Sequence, residues 1–146
     1  MKKSSIIFLG ALVAAAALAV IALCIFAPPL AGWYVDWRSI DPVLKTVIPV
    51  AFWICALPAL IALAGLLRLL RNLFKERIFE AENSKIMSVI CGCCLAVALV
   101  TAVGTYWYIP FIFVAAAMIF LCLIVSIVRG CFNAAITLRE ENDLTI

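Results

Sequence analysis

IMSVICGCCLAVALVTAVGTYWYIPFIFVAAAMIFLCLIVSIV, residues 86–128, contains no Asp, Glu, Lys or Arg. It divides at Tyr106-Trp107-Tyr108-Ile109-Pro110 into two uncharged apolar runs, 86–105 and 111–128. At 1.5 Å per helical residue each run is about 27–30 Å long, the thickness of a bilayer's hydrocarbon core. A five-residue connection forces the second run back antiparallel to the first, and Pro110 suits the first turn of the helix that follows. The stretch predicts a transmembrane helical hairpin, with the three aromatic rings of its turn at the headgroup level.

Two more uncharged runs precede the hairpin, at residues 6–27 and 47–67. The chain of 146 residues is 68% hydrophobic and 13% charged, with a mean hydropathy of +1.27. A soluble domain is nearer half apolar and a quarter charged. The fold class predicted is therefore all-α integral membrane, a four-transmembrane-helix bundle, as one membrane domain over residues 1–146. The opening MKKSSIIFLG also resembles a signal peptide. Its apolar run, however, exceeds the usual 7–15 residues, Pro29-Leu30-Ala31 is a poor cleavage site, and Cys24 follows Leu23 where lipoprotein processing needs a small residue. The first run is expected to stay as a helix.

Lys and Arg set the orientation. Lys2 and Lys3 precede helix 1, Arg68, Arg71, Lys75, Arg77 and Lys85 separate helices 2 and 3, and Arg129 and Arg139 follow helix 4. Only Arg38 and Lys45 fall on the other side. The expected protein is a multi-pass protein of the cytoplasmic membrane, both termini cytoplasmic, with a cytoplasmic loop at 68–85 and a cytoplasmic tail at 129–146. The outer loop, 28–46, carries Trp33, Tyr34 and Trp37 as a second interfacial belt. Within helix 2, Pro49 sits in the first turn, whereas Pro58 is internal and should bend the helix. Small residues at helical spacing (Gly10 with Ala14, Gly92 with Ala96, Cys94 with Ala98 and Ala102, Cys122 with Ser126 and Gly130) are the predicted packing faces. They suit a bundle or a homo-oligomer equally.

The chemistry that this composition excludes is broad. The chain has no His, which removes axial haem ligation and the commonest general base. No ionisable residue lies inside an apolar run, as proton-coupled export would require. No phosphate-binding glycine loop or nucleophile–base pair is present. The C-x-x-C within CGCC, Cys91 to Cys94, falls near the cytoplasmic end of helix 3, in a reducing compartment, so the seven cysteines read as small packing residues. Thr101 and Ser126 are lone hydroxyls expected to bond back to their own helix. No catalytic residue, cofactor or metal is predicted; the protein is read as non-enzymatic. A net charge of +3 argues against direct nucleic acid binding.

The specific features are polar. In RLLRNLFKERIF, Leu69, Leu70, Leu73, Phe74 and Ile78 recur at helical spacing opposite Arg68, Arg71, Asn72 and Lys75. That is an amphipathic continuation of helix 2, its basic face toward anionic headgroups or a partner. The chain closes with LREENDLTI. These stretches resemble the bacterial membrane family called domain of unknown function 2975. In that family a cytoplasmic Phe followed by Glu-Asn leads into the third helix, matched by Phe79, Glu82 and Asn83. The family's closing pattern is matched by Leu138, Arg139, Glu140, Glu141, Asp143, Leu144, Thr145 and Ile146. The Gly and hydroxyl residue that flank the family's Phe are replaced by Ile78 and Glu80, and its charged Arg-Glu-Gly by Asn133-Ala134-Ala135.

The resemblance implies no catalysis and no cofactor. It implies a partner, because such proteins are often encoded beside a small Cro/C1-type helix-turn-helix regulator. The expected function is therefore to bind or restrain that cytoplasmic partner. Arg71, Lys75, Phe79, Glu82, Asn83 and the tail residues 138–146 would form the docking face. The acidic tail would either cross the loop's own basic residues or meet those of the partner. The alternative is a small oligomeric transporter or channel component for a neutral or hydrophobic solute, with a cavity beside Pro58.

Overall fold

In the computed structural model, residues 3–75 and 81–145 are described. All regular structure among them is helical: α1 (Lys3–Arg38), α2 (Leu44–Phe74), α3 (Ala81–Gly104) and α4 (Phe111–Leu144). Each contains a segment long and apolar enough to cross a membrane. The four apolar runs thus become four helices, but three of the helices extend well past their runs.

The largest extension is in α1. The outer loop expected at 28–46 is helix as far as Arg38, straight through Pro28 and Pro29. Pro28 has no N–H to give to the carbonyl of Cys24, four residues back. In hydrocarbon an orphaned carbonyl has no water to turn to. The indole Nε1–H of Trp53 on α2 donates to the Cys24 carbonyl instead, at 2.9 Å. The proline pair removes two helical bonds, and the neighbouring helix replaces the one at Cys24.

The α1–α2 connection is then only a few residues long. Ser39 sits in the left-handed region at φ 51°, and the Ile40 N–H reaches the Val35 carbonyl at 3.2 Å, closing the helix as a Schellman-type end. The Asp41 carboxylate accepts the Val43 N–H at 3.0 Å and so caps the entry to α2. Lys45 pairs with Asp36 across the turn at 2.7 Å. The second turn, between α3 and α4, requires Gly104. A Cβ there would lie 2.6 Å from Cδ2 of Phe111.

The helices pack in chain order, α1 on α2, α2 on α3 and α3 on α4. No Cα of α1 comes within 8 Å of one in α3 or α4. The four helices thus form an open arc. Lipid tails are as apolar as leucine, so no hydrophobic force drives the first and last helices together. α3 is the central element, with 39% of its most apolar window buried against 6% for α1 and α2. α2 comes close to α3 at Gly65, where a Cβ would meet Ile90 and Ile86 at 3.2–3.3 Å. The small residues expected to pack behave differently. Gly10, Gly92 and Gly130 have nothing within 4 Å of an added Cβ, and Ala14 and Ala96 beside the first two are exposed. Ala98 and Cys122 are buried as expected.

Two hydroxyls separate as well. Thr101 bonds back to Val97 at 2.8 Å, whereas Ser126 Oγ lies 3.4 Å from the Cys91 sulfur on α3. Cys91 is in turn joined to Cys122 in a disulfide, their Cα atoms 4.9 Å apart. The reading of all seven cysteines as packing residues is corrected for this pair. The two positions are almost equidistant from Trp107 in sequence, so an antiparallel hairpin brings them to one level.

Replacing Trp53 with Phe should cost about 1–3 kcal/mol, the penalty of an unsatisfied buried carbonyl, measured by unfolding in detergent. In a Pro28→Ala background the restored N–H serves Cys24, and the same substitution should cost far less. Equal costs in both backgrounds would contradict the exchange of partners. Ser39→Gly should stabilise the protein by about 1 kcal/mol, because glycine adopts the left-handed conformation without the penalty of a side chain.

Candidate docking surface

The sequence-predicted docking residues lie at the end of the arc that holds both termini. α2 does not stop at the apolar run but continues to Phe74, and Leu69, Leu70 and Leu73 turn inward, half-buried. With Leu66, Met87 and Phe132 they surround an apolar recess of about 160 Å³ that has Asn83 in its wall. The opposite side of this extension presents Arg71 and Lys75 to solvent. Amphipathic spacing in the sequence has become a helix whose apolar stripe packs on α3 and α4.

Glu82 and Asn83 begin α3 and are both engaged within the chain. Glu82 accepts from Arg68 of α2 at 2.5 Å, and as an acid in the first turn of α3 it also suits the positive end of the helix dipole. Asn83 is only 4% exposed. Its Oδ1 accepts from Asn72 Nδ2 at 2.8 Å, so the amide is not stranded at a buried site. Ser84 accepts from Arg129 Nε of α4 at 3.3 Å. Three successive residues therefore tie α3 to both of its neighbours. The family motif at this point fixes the junction of α2, α3 and α4 and holds the surface in shape. Spacing set Arg68 and Asn72 on the polar face of the α2 extension without showing that they pair with Glu82 and Asn83, and it did not single out Ser84 or Arg129. Arg68 and Glu82 are fourteen residues apart, and only the fold makes them neighbours.

The tail continues α4 without a break. The helix runs on to Leu144, roughly 18 Å beyond Phe132 at 1.5 Å per residue. Residues 137–145, including Leu138, Arg139, Glu140, Glu141, Asp143, Leu144 and Thr145, are all exposed. The Thr145 hydroxyl donates back to the Glu141 carbonyl at 2.6 Å. Three acids thus gather where a helix dipole favours bases, and the last turn holds no basic residue. Among the described residues no ion pair joins Glu140, Glu141 or Asp143 to Arg68, Arg71 or Lys75. Phe79 and Ile146, and with them Arg77, lie outside the described residues.

Among the described residues no group of three or more His, Cys, Asp or Glu side chains is placed to hold a metal ion. No curated protein and no solved structure matches the chain. A family model does match, over residues 34–146, which takes in α2, α3, α4, the junction motif and the helical tail. The chain therefore belongs to the family described as Protein of unknown function (DUF2975).

Proposed function

We propose that this is a non-enzymatic protein of the bacterial cytoplasmic membrane, both termini cytoplasmic, that binds and restrains a basic cytoplasmic partner through its acidic helical tail. The observation that carries this is the exposed run Glu140, Glu141, Asp143 on α4, which among the described residues makes no ion pair with Arg68, Arg71 or Lys75. Like charges at the negative end of a helix destabilise that end. A partner that brings Lys or Arg to it gains from relieving this repulsion as well as from direct pairing. Leu138 and Leu144, 63% and 87% exposed, supply apolar anchors beside the charges. Arg68 with Glu82 and Asn72 with Asn83 act as framework between α2 and α3, and Arg129 with Ser84 holds α4 to α3.

A small helix-turn-helix regulator fits this chemistry, because DNA-binding surfaces are basic. Occupying such a surface with an acidic helix would keep the regulator from DNA and at the membrane. The orientation rests on the excess of Lys and Arg around the termini and the middle loop. A second reading, a small transporter or channel component for a neutral or hydrophobic solute, draws on the apolar cavity beside Pro58.

Co-purification with a co-expressed small basic helix-turn-helix regulator tests the docking reading. Glu140→Lys, Glu141→Lys and Asp143→Lys combined should cut partner recovery at least about tenfold, and wild-type recovery should fall as salt is raised. Asn83→Leu should lower the stability of the membrane domain more than it lowers partner recovery. Undiminished recovery with the charge-reversed tail would sink the proposal.

A further inference from the structure

The open arc leaves a cleft between α1 and α4, and its shape and lining are those of a site. At mid-depth all four helices contribute to a cavity of about 440 Å³. Ala16 and Val20 form the α1 wall, Met118 and Leu121 the α4 wall, and Ala56 and Pro58 belong to the floor. The atoms that line it are wholly apolar. A cavity of that kind stays dry unless something apolar fills it. Phe52 is shared with a second cavity of about 300 Å³, which continues the cleft toward the two turns, past Ala27 and Leu30 to Tyr34, Tyr108 and Phe111.

The turn end is where polarity begins. The Tyr34 and Tyr108 hydroxyls are hydrogen-bonded at 2.6 Å, bridging α1 to the α3–α4 turn across the head of the cleft. Arg38 follows Tyr34 by one helical turn on the same face, with its guanidinium 5.8 Å from the Trp37 ring centre. Among the described residues it makes no ion pair. Lys45, by contrast, is occupied by Asp36. Trp33, Trp37, Tyr106 and Trp107 are exposed at the same level, where aromatic side chains meet headgroups. A cationic, hydrogen-bonding rim at headgroup level thus opens into a dry apolar slot. That is the outline of an amphiphile standing upright in a membrane.

We propose that the cleft between α1 and α4 is a phospholipid site. One acyl chain enters sideways from the bilayer into the cavity beside Pro58, and the phosphate rests at Tyr34, Arg38 and Tyr108. The chain needs no polar partner, and the cavity offers none. From Tyr34 to Ala16 the slot is about 27 Å long at the rise of an α-helix. One leaflet of hydrocarbon is about 15 Å deep, so there is room for a full chain below the rim. A helix from a second copy fits poorly. Being about 10 Å across, it would displace on the order of 2,000 Å³ over that length, more than the two cavities offer. The phosphate satisfies Arg38 with charge-assisted hydrogen bonds and the phenols with further acceptors. This inference goes beyond the docking reading and does not depend on it, because the tail lies at the other end of the molecule.

The test uses the full chain in vesicles of phosphatidylethanolamine and phosphatidylglycerol, with a trace of phosphatidylglycerol carrying a diazirine on its acyl chain. After photolysis, peptide mass spectrometry should place adducts at Val20, Phe52, Met118 and Leu121 about tenfold above the lipid-facing Leu18 and Phe120. Ala16→Trp, which fills the slot from an exposed position, should abolish the excess. Ala15→Trp, outside the cleft, should leave it intact. Arg38→Ala should lower the excess for this anionic probe and spare a neutral diacylglycerol carrying the same diazirine. Adducts spread evenly over cleft and outer surface would overturn the proposal. So would cleft residues that cross-link to a second copy while carrying no lipid. The wild-type adduct map decides the matter even if a variant fails to fold, and neither result bears on partner recovery by the tail.

Discussion

One hydrogen bond shows the constraint under which the whole structure is built. The Trp53 indole gives its N–H to the Cys24 carbonyl because Pro28 has none to give. In water that carbonyl would be solvated and the helix could end at the prolines. In hydrocarbon each stranded backbone group costs several kcal/mol, so the chain stays helical and takes its missing donor from the next helix. That substitution of partners lets α1 reach Arg38, and only then do Tyr34 and Arg38 stand on a helix facing the cleft. The same accounting applies at the ends. Asp41 caps the start of α2, and Thr145 closes the end of α4.

Once the backbone is satisfied, lipid supplies little force to gather the helices, and the arrangement depends on a few specific contacts. Van der Waals closeness at Gly65 sets α2 on α3. Polar pairs hold both ends of the arc: Arg68 with Glu82, Asn72 with Asn83 and Ser84 with Arg129 at one, Tyr34 with Tyr108 at the other. The middle of the span, where polar groups would be expensive, is left to apolar packing, and the Cys91–Cys122 link lies nearer the end that holds Arg68 and Glu82. An incompletely filled interior follows naturally from this division, since nothing at mid-depth draws α1 toward α4.

The number of helices was legible because an uncharged run of about twenty residues has few other fates. Helix ends were not, because hydropathy reports which residues tolerate lipid and not where hydrogen bonding stops. Pro28-Pro29 read as a terminus, since no local rule announces a tryptophan 25 residues further on as a substitute donor. Small-residue spacing found Ala98 and Cys122 but also Gly10, Gly92 and Gly130, where an added Cβ meets nothing within 4 Å, and it passed over Gly65. Such spacing marks faces where a backbone could approach without saying whether one does. At the docking surface the family motifs named Glu82, Asn83 and the tail. Spacing alone could not show that the first two are occupied internally while residues 137–145 are exposed. The pairing of Cys91 with Cys122 was within reach, because both lie some fifteen residues from the centre of the turn.

The unbroken course of α4 has a mechanical corollary. The same helix contributes Leu121 to the wall of the cavity and carries Leu144 at its tip, a lever of roughly 35 Å at 1.5 Å per residue. Treated as a straight rod pivoting at Leu121, it would convert a tilt of about 10° into a displacement of roughly 6 Å at the tip. The angle of α4 thus sets where the carboxylates at its tip stand.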